Sequence, residues 1–415
     1  MRVALALVVM AVSVTASAGA AEKITRARAI HERIITLDTH LDTPALFLRP
    51  EGWNIMDRHG PADSKVDYPR MVDGGLDGGF WALYTPQGPR TPEGYAAARE
   101  RALTTAANID KLIVGKNPKY FALAYKAADA ARIAGSHKRI VYKSIENSYP
   151  LGLDPKALDE FYALGVRIVG PVHFLNNDWG DSATDPKGPE WHGLSPRGKE
   201  LVVEANKLGV ILDASHASDD VFDQLIALSK TPIILTHSGC KAVFDHPRNI
   251  SDDRLRKLAA SGGVIQMNSL YAGPTPPPSP ARQKALDALA AQFGPRDKLS
   301  GDQLAAFNTA RMQIDVDYPA PKPSFEDYMK QILHALEIAG VDHVGIGADW
   351  DGGGGVAGME DIRDLPKITE RLLQAGYTES DLKKIWGGNV LRLLRAAEAE
   401  AAKEKKDAAR VAKAQ

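Results

Sequence analysis

Between residues 34 and 349 the chain alternates short apolar or β-branched runs with helical periodicity, eight times over. The runs cover residues 34–42, 79–85, 139–146, 166–173, 210–216, 232–237, 263–268 and 343–349 and are bounded by glycine and proline. Helix signals separate most of them. Ser195-Pro196 supplies an N-cap and a first helical residue, with Val202, Val203, Ala205 and Leu208 behind it and Gly209 as the stop. Ser218-Asp219-Asp220 and Ser251-Asp252-Asp253 open two more, placing acids where the helix dipole favours them. Pro323-Ser324-Phe325-Glu326 opens a fourth, running to Ala339-Gly340. Eight strands alternating with helices predict an α/β chain folded as a closed (β/α)8 TIM barrel, with an open doubly wound sheet as the structural alternative.

Two stretches break the rhythm. Residues 44–78 form a Gly/Pro/Asp-rich excursion after the first strand. Residues 271–323 form a long insertion after the seventh, with a proline run, a short helical piece and another proline-rich run. An insertion at that end of a barrel strand is a natural lid or rim.

Composition narrows the function classes. Lys+Arg (51) nearly cancels Asp+Glu (52), so no global field favours nucleic acid or an anionic membrane. A 44% hydrophobic and 25% charged balance excludes a disordered chain and a polytopic membrane protein. Cys240 is the single cysteine, which excludes an internal disulfide framework and a Cys-rich zinc module. Residues 1–20 read as a signal peptide: Met1-Arg2 as a basic start, an apolar run over 3–12, then Ala16-Ser17-Ala18 and Ala18-Gly19-Ala20 as small-residue cleavage sites. The expectation is an exported protein, periplasmic or secreted, without a membrane span in the mature chain. Its barrel domain covers residues 21–395 and a charged tail 396–415. The oligomeric state is open, a homodimer being one option.

Chemistry concentrates on the histidines. Four of the eleven, His40, His173, His216 and His237, fall at the C-terminal ends of expected strands, where barrel active sites are built. His40 and Asp42 are two apart on one strand and share a face, a pairing that suits a borderline divalent ion such as zinc. Asp38 lies one pleat deeper and reads as a polar support. Glu146 ends the third strand. His40, Asp42 and Glu146 make three ligands for one ion; Glu146, His216 and His237 make three for a second if Glu146 bridges. Each ion then keeps an open position for water, as a catalytic site requires. Lys143 faces the other side of its strand and is a poor bridging candidate. His31, His59, His137, His192, His246, His334 and His343 read as surface or structural residues.

At this point the chain resembles the membrane dipeptidases, also called renal dipeptidases, of the metal-dependent amidohydrolase superfamily. The carrying motifs are LDTHLDTP (37–44), SIEN (144–147), HFLNNDWGDS (173–182), GLSPRGKE (193–200), LDASHAS (212–218), ILTHS (234–238), RNISD (248–252) and HVGIGADWDG (343–352). They occur in the family's order and span nearly the whole mature chain. The resemblance implies a two-zinc site with His40, Asp42, bridging Glu146, His216 and His237 as ligands. It implies that His173 sits beside the substrate carbonyl, that Arg248 holds the substrate's C-terminal carboxylate, and that Asp349 transfers the proton, with Asp351 as the alternative to it. The implied reaction is hydrolysis of a dipeptide's peptide bond by hydroxide shared between the ions, with protonated His173 stabilising the oxyanion. Acceptance of a D-residue at the C-terminal position is implied as well. Two departures limit the carry-over: Cys240 cannot reproduce the disulfides of the animal members, and the long insertion makes a transfer of substrate preference unsafe. Two rival readings are another amidohydrolase acting on a cyclic amide, lactone or phosphoester, and a binding protein with a vestigial metal site.

Overall fold

The structure, a computed structural model, describes residues 26–48, 52–60, 63–295, 299 and 301–414. The signal peptide expected over residues 1–20 lies outside the described residues. All eight expected strands form: β1 (Leu37–Leu41), β2 (Gly78–Tyr84), β3 (Arg139–Glu146), β4 (Val166–Val169), β5 (Ile211–Leu212), β6 (Ile234–Cys240), β7 (Val264–Met267) and β8 (Val344–Ile346). Nearly every residue in them is buried, which is why they read as continuous apolar runs rather than alternating ones.

The strands lie parallel in the order β1-β2-β3-β4-β5, and separately β8-β7-β6. Two single parallel bridges, Asp213 with Ile234 and Leu41 with Trp350, join the arcs. Ala214 donates to the Ile234 carbonyl at 2.8 Å, and Asp42 donates to the Trp350 carbonyl at 2.9 Å. The first strand therefore pairs on both sides and the ring closes as a (β/α)8 barrel, which excludes the open sheet. Two short strands, Phe121–Leu123 and Asn249–Ile250, flank the start of β3 and the end of β6.

The four helices read from caps form as expected: α1 (Pro196–Leu208), α2 (Asp219–Leu228), α3 (Asp252–Ala260) and, after the insertion, α6 (Phe325–Ala339). Ser195, Ser218 and Ser251 each accept a backbone N–H three residues on. Ser324 and Asp327 form a capping box. The insertion differs from the short helical piece expected of it, because it holds two full helices, α4 (Pro280–Phe293) and α5 (Gly301–Asp317). Ser279 caps the first, and Arg282 crosses to Asp315 and to the Tyr318 carbonyl.

The C-terminal helix α7 (Asn389–Ala414) runs unbroken through residue 395, where the barrel was expected to give way to a tail. Ala397 and Ala401 are buried, and the Ala127 N–H donates to Glu398, so the helix packs well past that point. No described helix is long and apolar enough to cross a membrane.

Candidate metal centre

The barrel delivers the ends of all its strands to one mouth, and the chemistry-bearing residues gather there. His40 sits in β1 and Asp42 just beyond it; Glu146 is the last residue of β3, and His237 lies inside β6. Three others come from loops. The strands expected to run to His173, His216 and Asp349 stop at Val169, Leu212 and Ile346. Pro171, which lacks a ladder donor, follows β4 closely. His216 and Asp349 adopt left-handed backbone, both at φ 67°, which turns their side chains inward. Asn147 (φ 71°), next to Glu146, and Asp351 (φ 65°) share this backbone, so four of the six described non-glycine residues with positive φ are at or beside the site residues. Each costs about 1–3 kcal/mol, and such strain clusters at functional sites.

Glu146 is the hub. Its Oε2 lies 3.4 Å from His40 Nε2, while its Oε1 lies 3.0 Å from His216 Nε2, 3.5 Å from His237 Nε2 and 3.7 Å from His173 Nε2. Asp42 Oδ2 is 3.3 Å from His40 Nε2, and the Nε2 atoms of His216 and His237 face each other at 2.9 Å. Three sets of possible ligands share this knot: His40–Glu146–His237, Glu146–His173–His216, and His40–Asp42–Asp349. Asp349 is thus geometrically placed either to ligate or to act beside an ion.

The electrostatics match a cation site. Burial, and then Arg248 for His216 and His40 for His237, hold these two imidazoles well below their ordinary range, so both are neutral. Burial opposes charge on Glu146, yet His40, His216 and His237 hold it well below the usual carboxylate range. Burial pushes Asp349 well above that range, with Asp42 and Glu146 adding to the push against His40 and Arg248. Burial also lowers the His173 imidazole, with Glu146 acting against it. Among the described residues, buried His40 Nε2 and Asp42 Oδ1 have no hydrogen-bond partner, which costs about 1–3 kcal/mol per atom unless something else satisfies them. Burial opposes charge on His40, yet Glu146 and Asp42 hold its imidazole well above the ordinary range, and the neutral nitrogens of His216 and His237 with the carboxylate oxygens beside it fit a divalent ion of the zinc type.

Arg248 comes in from the loop after β6 and meets the backbone of β6 at His237, behind Tyr271 rather than among the residues that line the cavity. It is 3% exposed, donates from Nη2 to the His237 carbonyl at 3.1 Å, and has no partner for Nε among the described residues. No described carboxylate pairs with it within 4 Å. Its guanidinium lies 5.7 Å from the centre of the Tyr271 ring. Asp38 accepts the backbone N–H of His40 at 2.9 Å and of Ala348 at 3.1 Å, tying β1 to the loop after β8. Asp351 accepts from Thr43, Ser64 and the Lys65 N–H, so it anchors the 44–78 excursion. Lys143 points away, to Asp110 and the Leu164 carbonyl.

A cavity of about 260 Å³ opens over the centre, lined by Asp42, Glu146, His173, His216, Asp349 and Asp351. Ala45, Tyr84, Phe174, Leu270 and Tyr271 supply its apolar walls, and sequence reasoning named none of them. Only Phe174, next to His173, carried a signal that could have found it. At about 260 Å³ the cavity falls just below the roughly 300–1,000 Å³ range of drug-sized sites.

Known proteins share this framework. The family model for the membrane dipeptidases, peptidase family M19, matches residues 24–408. The chain is similar to Dipeptidase tcpJ of Claviceps purpurea (strain 20.1), 29% identical over 376 residues, 89% of this chain and 78% of that protein. Among solved structures it is similar to the probable dipeptidase PvdM from Pseudomonas aeruginosa, 31% identical with a TM-score of 0.77, covering 92% of this chain and 99% of that one. The dipeptidase AC, a metallopeptidase of family M19, is 25% identical with a TM-score of 0.69 over 88% of this chain and 98% of its own. By these matches the chain belongs to the membrane dipeptidase family, peptidase family M19, and its enzyme class is that of a metallo-dipeptidase.

Proposed function

We propose that the enzyme cleaves the single peptide bond of dipeptides at a centre of two zinc ions, one held by His40 and Asp42, the other by His216 and His237, with Glu146 shared between them. The division of Glu146, one oxygen toward His40 and the other toward His216 and His237, carries this reading. When bound, such ions make a water nucleophilic near neutral pH and polarise a carbonyl.

The rest of the chemistry falls to side chains. Arg248 is a buried cation with no ion-pair partner among the described residues, so a substrate carboxylate would supply the anion it lacks; a guanidinium binds it bidentately where lysine cannot. His173, protonated, donates an N–H toward the carbonyl oxygen as negative charge develops there. Asp349 takes the proton from the attacking water and returns it to the leaving amine. A clamp beside the reacting carbonyl admits only short substrates with a free C-terminus. The proposal extends to export of the mature chain, acceptance of a D-residue at the C-terminal position and pairing as a homodimer.

The test is release of amino acids from L,L- and L,D-dipeptides by the zinc-loaded protein, run beside the C-amidated forms. Turnover of free but not amidated dipeptides is expected. Silence across the panel with two ions bound would favour another amidohydrolase reaction.

A further inference from the structure

The strongest unassigned feature lies behind the centre, where β5 and β6 are joined by one bridge. Asp213, 4% exposed, follows β5 directly. Its Oδ1 accepts the backbone N–H groups of Ser215 at 2.8 Å and Thr236 at 3.0 Å. Its Oδ2 accepts the Thr236 hydroxyl at 2.5 Å. The same hydroxyl oxygen lies 2.9 Å from His237 Nδ1. Ser215 Oγ, which accepts the His237 backbone N–H at 3.0 Å, is a more distant second acceptor for the Thr236 hydroxyl at 3.3 Å.

A hydroxyl has one hydrogen. Asp213 Oδ2 is its nearest acceptor, and an ionised carboxylate only accepts, so with Asp213 ionised the Thr236 hydrogen lies there and what remains for His237 Nδ1 is a lone pair. The ring hydrogen must then sit on Nδ1, leaving Nε2 bare and facing Glu146 Oε1 at 3.5 Å. We infer that Asp213 is a positioning residue which, through the Thr236 hydroxyl, sets the His237 tautomer and keeps Nε2 free to bind a metal ion. The inference rests on the proposed ligand role of His237. It extends the familiar carboxylate–histidine–metal triad by an interposed hydroxyl. The same carboxyl pins Ser215 and Thr236, so it also aligns the two segments that carry His216 and His237.

The experiment uses the full chain, metal-free, with ¹⁵N-labelled histidine, and reads the ring tautomers by long-range ¹H–¹⁵N spectra, with His237→Gln identifying the signal. The wild type is expected to carry hydrogen on His237 Nδ1. In Asp213→Asn the two backbone N–H donors hold the amide oxygen, so the amide NH₂ faces Thr236. The hydroxyl then turns to donate to Nδ1, and the ring hydrogen moves to Nε2. Zinc affinity, measured by competition with a chromophoric chelator, should fall about 10–100-fold. Thr236→Val should lower it similarly and Thr236→Ser should preserve it. Wild-type protein with hydrogen on Nε2, or Asp213→Asn with unchanged tautomer and affinity, overturns the inference. If Asp213→Asn fails to fold, equal zinc affinity in the two Thr236 variants overturns it instead. Retention of both ions by His237→Gln at wild-type affinity would mean that the ligand reading, rather than the relay, is wrong.

Discussion

A Cβ placed on Gly352 would lie 1.9 Å from Asp42 Oδ2, and 2.2 Å from Asp349 Oδ1 as well. Backbone without a side chain is therefore required where the loop after β8 passes the two carboxylates. Gly352→Ala should leave the barrel folded, since the clash is local to the mouth, and should lower kcat/KM at least tenfold by displacing one or both acids. Circular dichroism with dipeptide turnover checks this; full activity in a folded variant would show that neither carboxylate needs its present place.

Arg248 separates binding from stability. Removing an unpaired buried cation does not cost the fold an ion pair, so Arg248→Met should unfold at or above the wild-type temperature. The KM for dipeptides should rise about 10–100-fold, the worth of a charge-assisted bidentate contact of roughly 1.5–3 kcal/mol. Arg248→Lys should recover little of this, because its point charge cannot form the fork. An unchanged KM in either variant would remove the carboxylate clamp.

How far the centre was readable follows from barrel geometry. His40, Asp42, Glu146 and His237 lie on or beside strands, and a (β/α)8 ring brings strand ends to one mouth, so spacing alone placed them. His173, His216 and Asp349 were found for a less accurate reason: their strands end early and left-handed turns or a proline-bearing loop bring them in. Asp213 and Thr236 were invisible, because their contact exists only once β5 and β6 are neighbours. Tyr84 and Tyr271 belong to residues remote in sequence that meet only at the cavity wall. The second helix of the insertion, Gly301–Asp317, carries no apolar stripe for a periodicity argument to detect.

Glu146 should govern both ions. Glu146→Gln is expected to lose two equivalents of zinc by elemental analysis, whereas Asp42→Asn should weaken one. Bound ligand at 100 times its Kd adds about 2.7 kcal/mol to stability, so chelation should lower the wild-type Tm by several degrees and leave Glu146→Gln nearly unmoved. One tightly held equivalent in Glu146→Gln would contradict the bridge.

Asp349→Asn distinguishes an acid/base from a ligand. Its Oδ atoms lie within reach of both Asp42 and His40, so geometry permits either role. As the proton carrier, its loss should cut kcat about 10²–10⁴-fold while zinc stoichiometry stays at two. Loss of an equivalent would place it among the ligands.

Far from the mouth, His31 makes a pH-dependent contribution whose sign the hydrogen bonds fix. Trp386 Nε1 donates to Thr369 Oγ1 at 2.8 Å, Thr369 Oγ1 lies 2.7 Å from His31 Nδ1, and His31 Nε2 lies 3.0 Å from the Gly74 carbonyl. A carbonyl only accepts, so the ring hydrogen is on Nε2 and Nδ1 receives the Thr369 hydrogen; a second ring proton would break that link. Burial accordingly lowers the imidazole from 6.5 to about 4. Between those values the unfolded chain binds more protons than the folded one, so stability rises with pH across the window and is lost as pH falls from about 6.5 toward 4. The loss attributable to His31 should reach about 2 kcal/mol by pH 5. His31→Gln, whose amide can still donate to Gly74, removes the titration. The stability difference between wild type and variant, followed by denaturant unfolding from pH 7.5 to 5, should therefore shrink steadily with acidification. A difference that stays constant over that range would show that His31 does not titrate as its contacts require.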